Sequence, residues 1–134
     1  MAPDGPPAET LYSAAPWANR TGAPICALEH LIALRDYFGP ICLILPEHGP
    51  LEKLAAAANV SVWVSPLVYK GLRQGGFWRF WCGIGPVLRS RWQYLRRLIR
   101  QLRSQPGILH IHSRSTHLPY ALLAGRLARI PMVV

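Results

Sequence analysis

The run I-C-L-I-L at positions 41–45 is apolar at every position, with Gly39-Pro40 before it and P-E-H-G-P after it. A continuous apolar run bounded by turn residues predicts a strand buried on both faces. Such strands belong to parallel sheets covered by helices on either side. The sequence around it alternates accordingly. Residues 9–15 are a weaker first strand. Proline suits the first turn of a helix, so Pro24 marks a helix start with Thr21 or Ala23 near the cap. Ala27, Leu28, Leu31, Leu34 and Phe38 follow at helical spacing, Glu29, Ala33 and Asp36 lie opposite, and Gly39-Pro40 ends the helix. Residues 50–58 form a short Ala-rich helix. Val60, Val62 and Val64 alternate with Ser61, Trp63 and Ser65, which is strand periodicity. Residues 108–112 are a fourth strand, 118–129 a helix, and 132–134 the start of a fifth strand.

This order predicts the α/β class, a doubly wound, Rossmann-like parallel sheet with flanking helices. The 134 residues fit one domain over 1–134, and 51% of them are hydrophobic, enough for a modest core. A three-residue strand at the C-terminus would leave a sheet edge open. The chain is therefore expected to be one part, truncated, of a longer protein, with residues 67–103 as an insert.

The opening M-A-P-D-G-P-P-A-E lacks the basic start and apolar centre of a signal peptide, and no run reaches membrane-spanning length. A cytoplasmic location is the expectation. Cys26, Cys42 and Cys82 have no metal-like spacing and sit among apolar residues, which predicts buried, reduced thiols. The formal net charge of +9 is unevenly spread. Residues 1–52 hold all six acids with Arg20 and Arg35, a net of −4. Residues 53–134 hold thirteen basic groups and no acid, a net of +13. A fully cationic half suggests an anionic partner: phosphate, anionic lipid or nucleic acid.

Much of that charge lies in F-W-R-F-W-C-G-I-G-P-V-L-R-S-R-W-Q-Y-L-R-R-L-I-R-Q-L-R, residues 77–103. Gly83, Gly85 and Pro86 break the run, so a helix is expected from 86 to 103. Leu88, Trp92, Leu95, Ile99 and Leu102 form one apolar stripe, flanked by Arg89, Arg96, Arg100 and Arg103. Two readings stand. One is a core helix with a solvated arginine face. The other is a helix on an anionic membrane, with these arginines at lipid phosphates and Trp78 and Trp81 in the interface. No nucleic-acid motif accompanies the charge, which disfavours nucleic acid.

The stretch I-L-H-I-H-S puts two histidines in the fourth strand. Alternate residues share a face, so Ile108, His110 and His112 point one way and Leu109 and Ile111 the other. His112 falls at the carboxyl end of the strand, the edge where open α/β sheets bind ligands. Ser113 follows, and S-R-S-T opens the next helix, whose first N–H groups suit an anion. A metal held by His110, His112 and His117 is disfavoured, because no carboxylate or fourth ligand is near. The other loop at this edge is R-T-G-A-P, residues 20–24. There Gly22 permits close backbone approach and the helix start favours phosphate. The G-x-G-x-x-G dinucleotide fingerprint is missing.

R-T-G-A-P with I-C-A-L-E-H-L, then I-L-P-E-H-G-P-L, residues 60–66, I-L-H-I-H-S and A-G-R-L-A-R-I-P-M-V-V together resemble the N-terminal domain of glycosyltransferase family 4. The resemblance spans 9–134 in order, with 67–103 its poorest part. It implies the GT-B fold of two Rossmann-like domains facing a cleft. It also implies metal-independent transfer from a sugar nucleotide with retention of configuration, no cofactor, and acceptor recognition by this domain. Thr21, Gly22 and Ala23 match the loop beside the donor diphosphate. His112 matches the histidine that contacts the transferred sugar, and Ser113 the residue after it. Lipid-linked acceptors used by several relatives would give the basic insert a role at the inner membrane face.

Three departures stand out. Thr21 replaces the first of two adjacent glycines. Gly107 replaces the aspartate usual before the fourth strand. The C-terminal donor-binding domain is absent, so the chain alone is expected to be inactive. Two other functions remain open: a non-enzymatic cationic module docking on membrane or protein through 77–103, and an unrelated Rossmann-like nucleotide-binding fragment.

Overall fold

The computed structural model describes residues 9–16, 18, 20–67, 77–112 and 118–134, with the backbone alone for 77–83 and 118. Five strands alternate with four helices: β1 (Thr10–Ala14), α1 (Gly22–Leu34), β2 (Ile41–Leu45), α2 (Pro50–Ala57), β3 (Ser61–Val64), α3 (Phe77–Ser104), β4 (Gly107–Ile111), α4 (Leu118–Ala128) and β5 (Met132–Val133). They form one parallel sheet in the order β3-β2-β1-β4-β5. The α/β, Rossmann-like expectation is met.

The apolar run that sets this fold is buried throughout. Leu43 and Leu45 enter a cluster with Leu28 and Leu31 of α1 and Leu51 of α2. Cys42 and Ile44 enter the opposite cluster with Tyr94, Leu98 and Leu102 of α3 and Ala121 and Ala124 of α4. Period-2 alternation thus feeds two cores from five residues, and both faces exclude water. β1 is buried at all five positions and sits between β2 and β4. The Tyr12 hydroxyl donates to the Gln105 carbonyl at 2.7 Å, tying the end of α3 to this central strand.

Two neighbouring helices supply arginines to exposed helix ends. Arg103 donates to the Leu127 carbonyl of α4 at 3.1 Å, and Arg35 donates to the Ala58 carbonyl just past α2. Both cations satisfy C-terminal carbonyls that have no intrahelical donor and oppose the helix dipole.

The basic helix differs from its sequence-based bounds. Pro86 does not start it; it lies inside a 28-residue helix that begins at Phe77. A proline inside a helix removes one hydrogen bond and its ring crowds the carbonyl four residues before it; it also crowds the Cβ of the residue just before it, and since that residue is Gly85 only this second clash is missing here. The buried face is also rotated. Val87, Tyr94, Leu95, Leu98 and Leu102 face the core, whereas Leu88 and Trp92 are 55% and 60% exposed. Leu95, Ile99 and Leu102 of the expected stripe pack inward, and Val87, Tyr94 and Leu98 join them in place of Leu88 and Trp92. The cysteines are split as well. Cys42 is buried, and burial pushes its thiol up to about 11, but Cys26 is exposed on α1. The Cys82 side chain lies outside the described residues.

Candidate functional site

β1 is the strand at which the chain changes direction. α1 leads from it to β2 on one side, and β4 arrives on its other side after crossing from β3. Because all strands are parallel, Ala14 and Ile111 finish at the same edge, paired in register. The His112 amide continues the ladder one step further, donating to the Ala14 carbonyl at 3.3 Å. The carboxyl edge at such a switch point is the natural crevice of an open α/β sheet. Both sequence-predicted loops converge there. Residues 20–24 follow β1, and His112 follows β4.

Thr21 is the N-cap of α1, in extended conformation and without a side-chain cap bond. The helix starts at Gly22, two residues before Pro24, and its first turn holds no acid. Pro24 has no N–H, so the amides of Gly22 and Ala23 are the donors of this first turn. The Ile25 amide is already bonded to the Thr21 carbonyl at 3.2 Å. Among the described residues nothing lies within 4 Å of the place a Cβ would occupy on Gly22, so none of them demands glycine there.

His112 is half-buried and is not alone. Its Nε2 lies 2.9 Å from Nδ1 of His30, a residue of α1 that sequence spacing did not single out. The His110 ring stands edge-on to His112, with centroids 5.2 Å apart, and 6.0 Å from His30. Burial, aided by the His112 and His30 imidazoles, holds His110 below the usual imidazole range. Burial and His30 do the same for His112. Both rings are therefore neutral at pH 7. Ser13 pairs with His110 across the β1–β4 ladder and is fully buried. His30 and His110 also wall an open apolar groove of about 390 Å³ with Leu11, Leu34, Phe38 and Ile108.

His30 escaped the sequence reading for a physical reason. A lone histidine on a helix flank carries no periodic signal, and its nearness to His112 depends on how α1 lies across β1 and β4. Among the described residues no group of three or more His, Cys, Asp or Glu is arranged to hold a metal ion. Ser113 and His117 lie outside the described residues.

On α3, Arg89, Arg96, Arg100 and Arg103 are all exposed. Arg96, Ile99, Arg100 and Arg103 line a shallow groove of about 370 Å³. The Trp78 and Trp81 side chains lie outside the described residues. No helix among the described residues is long and apolar enough to cross a membrane.

No family model and no curated protein matches the sequence. Solved structures share the fold. HepE from Anabaena in complex with UDP and glucose superposes with a TM-score of 0.63 at 13% identity, covering 92% of this chain and 28% of HepE. Its complex with UDP-glucose gives 0.62 at 14%, with the same coverage. The C-terminal domain of a hydrogenase from Pyrococcus furiosus gives 0.51 at 15%, covering 100% of this chain and 95% of that domain. The chain thus spans about 28% of HepE's length. At these identities the likeness shows the fold alone: a parallel α/β sheet of the kind that forms part of a UDP-glucose-binding protein.

Proposed function

We propose that this chain is the acceptor-side α/β domain of a retaining glycosyltransferase of the family 4 type, and that a second domain completes it. The observation that carries this reading is that the α1 start and His112 follow the carboxyl ends of the adjacent strands β1 and β4, at one switch-point edge. The two loops bring backbone donors and a neutral imidazole to the same crevice. The amides of Gly22 and Ala23, with Thr21, lie where a donor diphosphate meets a helix N-terminus. His112 contacts the sugar being transferred, with Ser113 beside it. The fold likeness to a portion of HepE, which holds UDP and glucose, supports a sugar nucleotide as the donor. Transfer in this reading uses no metal and no cofactor.

Half a cleft cannot orient two substrates, so the chain alone is inactive. The test is release of UDP from UDP-glucose, supplied with candidate glycan and lipid-linked acceptors. It compares the 134-residue chain with a parent protein that carries the second domain. The parent turns over and the chain does not. A parent inert toward every sugar nucleotide removes the proposed function; turnover by the chain removes the claim that it is half a site.

A second reading has its own observation. Leu88 and Trp92 are exposed beside Arg89, Arg96, Arg100 and Arg103, so α3 presents an apolar ridge bordered by cations. That combination suits the surface of an anionic bilayer, where each arginine contributes about 1 kcal/mol. The chain is then peripheral on the inner membrane face, where a lipid-linked acceptor also resides. Vesicles containing about a third phosphatidylglycerol bind the chain and blue-shift tryptophan emission. Replacing Arg96, Arg100 and Arg103 by glutamine weakens binding by roughly a hundredfold, from about 3 kcal/mol. Equal binding to neutral and anionic vesicles contradicts the reading.

A further inference from the structure

Three imidazoles from two elements meet on the α1 side of the sheet, and only one pair among them is hydrogen-bonded. We propose that His30 is the positioning residue of His112: it engages Nε2 of that ring and leaves Nδ1 as the nitrogen offered to a ligand. The inference rests on the reading of His112 as the sugar-contacting group, and it adds which atom makes the contact and what kind of partner it takes.

A single proton lies between the two rings. His112 Nε2 and His30 Nδ1 are 2.9 Å apart, so one of them donates and the other accepts. A neutral imidazole in water favours the proton on Nε2. If the Nε2–H of His112 donates to His30 Nδ1, both rings keep that favoured form. The opposite assignment forces both protons onto Nδ1. The bond made by one ring nitrogen sets the state of the other. His112 Nδ1 is then a bare lone pair. It accepts from a hydroxyl group, such as those of a sugar ring, and has no proton to give to a phosphate oxygen. The phosphate donors of this crevice are the α1 amides instead. His110 packs edge-on against His112 and limits its rotation. Burial keeps His112 neutral at pH 7, so the one-proton arrangement persists there.

A merely structural staple between α1 and β4 needs no particular tautomer, and the test turns on that difference. The chain is labelled with ¹⁵N-histidine, and long-range ¹H–¹⁵N spectra are recorded at pH 7.5. His112 is expected to show a protonated Nε2 and a bare Nδ1. In His30→Asn, whose Oδ1 stands near the former Nδ1, the pattern persists. In His30→Leu the two His112 nitrogens shift toward an average of both tautomers, with the backbone amide spectrum retained. His112 carrying its proton on Nδ1, or averaging already in the wild type, overturns the proposal without any variant. So does a His112 pattern unchanged by His30→Leu.

Turnover of the two-domain parent separates this inference from the reading beneath it. His30→Leu lowers kcat about tenfold with KM little changed, the size usual for losing an orienting partner. His30→Asn recovers most of it. If His112→Ala abolishes turnover and His30→Leu does not alter it, the positioning role falls and the sugar-contact reading stands. If His112→Ala leaves turnover intact, the sugar-contact reading itself falls, and the role of His30 in turnover with it.

Discussion

Gly107→Ala is expected to lower the stability of this domain by about 3 kcal/mol, the upper end of overpacking costs. Gly107 opens β4 opposite Thr10 of β1. A Cβ there would run into the Thr10 backbone, with the carbonyl carbon 2.8 Å away and the carbonyl oxygen nearer still. The obstacle is main chain in the central strand, which cannot swing aside as a side chain can. Relief requires β1 and β4 to part at that end, beside the Tyr12 bond to Gln105. For a domain of this length the loss corresponds to roughly 10 °C in Tm. Gly22→Ala is the internal control. Its Cβ meets nothing within 4 Å, and alanine favours a helix by up to about 1 kcal/mol over glycine. Thermal unfolding of both variants checks the pair. An unchanged Tm for Gly107→Ala would mean that Thr10 and Gly107 are not partners.

On the proposed function, His112→Ala in a protein that joins this domain to a donor-binding domain should reduce kcat on a sugar nucleotide by about a hundredfold or more, the size seen when a hydrogen-bonding group that acts on the transition state is removed. Stability should change little. The side chain is half-buried and makes one hydrogen bond, worth about 1 kcal/mol. The backbone bond from residue 112 to the Ala14 carbonyl does not depend on the side chain, so the end of the ladder persists. Steady-state kinetics and Tm on the same preparation separate the two effects. Full activity in this variant would remove His112 from the site. A parallel collapse of activity and Tm would make it a structural residue.

The sheet was legible because burial on both faces leaves a plain mark. The run 41–45 is apolar without interruption, β4 keeps Leu109 and Ile111 on its buried face, and each is followed by a helical pattern. The crevice was legible for the same reason, since its place follows from the order of strands and helices. What failed did so where local rules and packing disagree. Gly83, Gly85 and Pro86 are each poor in a helix, yet the helix runs through all three from Phe77, with its later turns packed on the sheet through Tyr94, Leu98 and Leu102. Leu95 and Leu102 of the expected stripe are in the core, but at the other two turns the sheet takes Val87, Tyr94 and Leu98 rather than Leu88 and Trp92. Cys26 sits among apolar neighbours in sequence and on the outside of α1 in space. His30 is silent in sequence because its meaning comes from a ring on another element.

The position of β1 has a further consequence for how the chain is made. Its first edge is closed early by β2, but its second edge waits for β4. Tyr12 and Gln105, which join across that gap, are separated by 93 residues. At translation rates of about 5–20 residues per second, this fully buried central strand spends on the order of 5 to 20 s with one edge bare. Its partner has not yet been synthesised during that time. The basic helix emerges in the same interval, before the strand it precedes. During synthesis, therefore, the chain passes through a stage in which a cationic amphipathic helix and an open apolar strand are exposed together. Folding is gated by the arrival of Gly107, so nascent-chain arrest before that residue should trap a species that binds chaperones and protects β1 amides poorly.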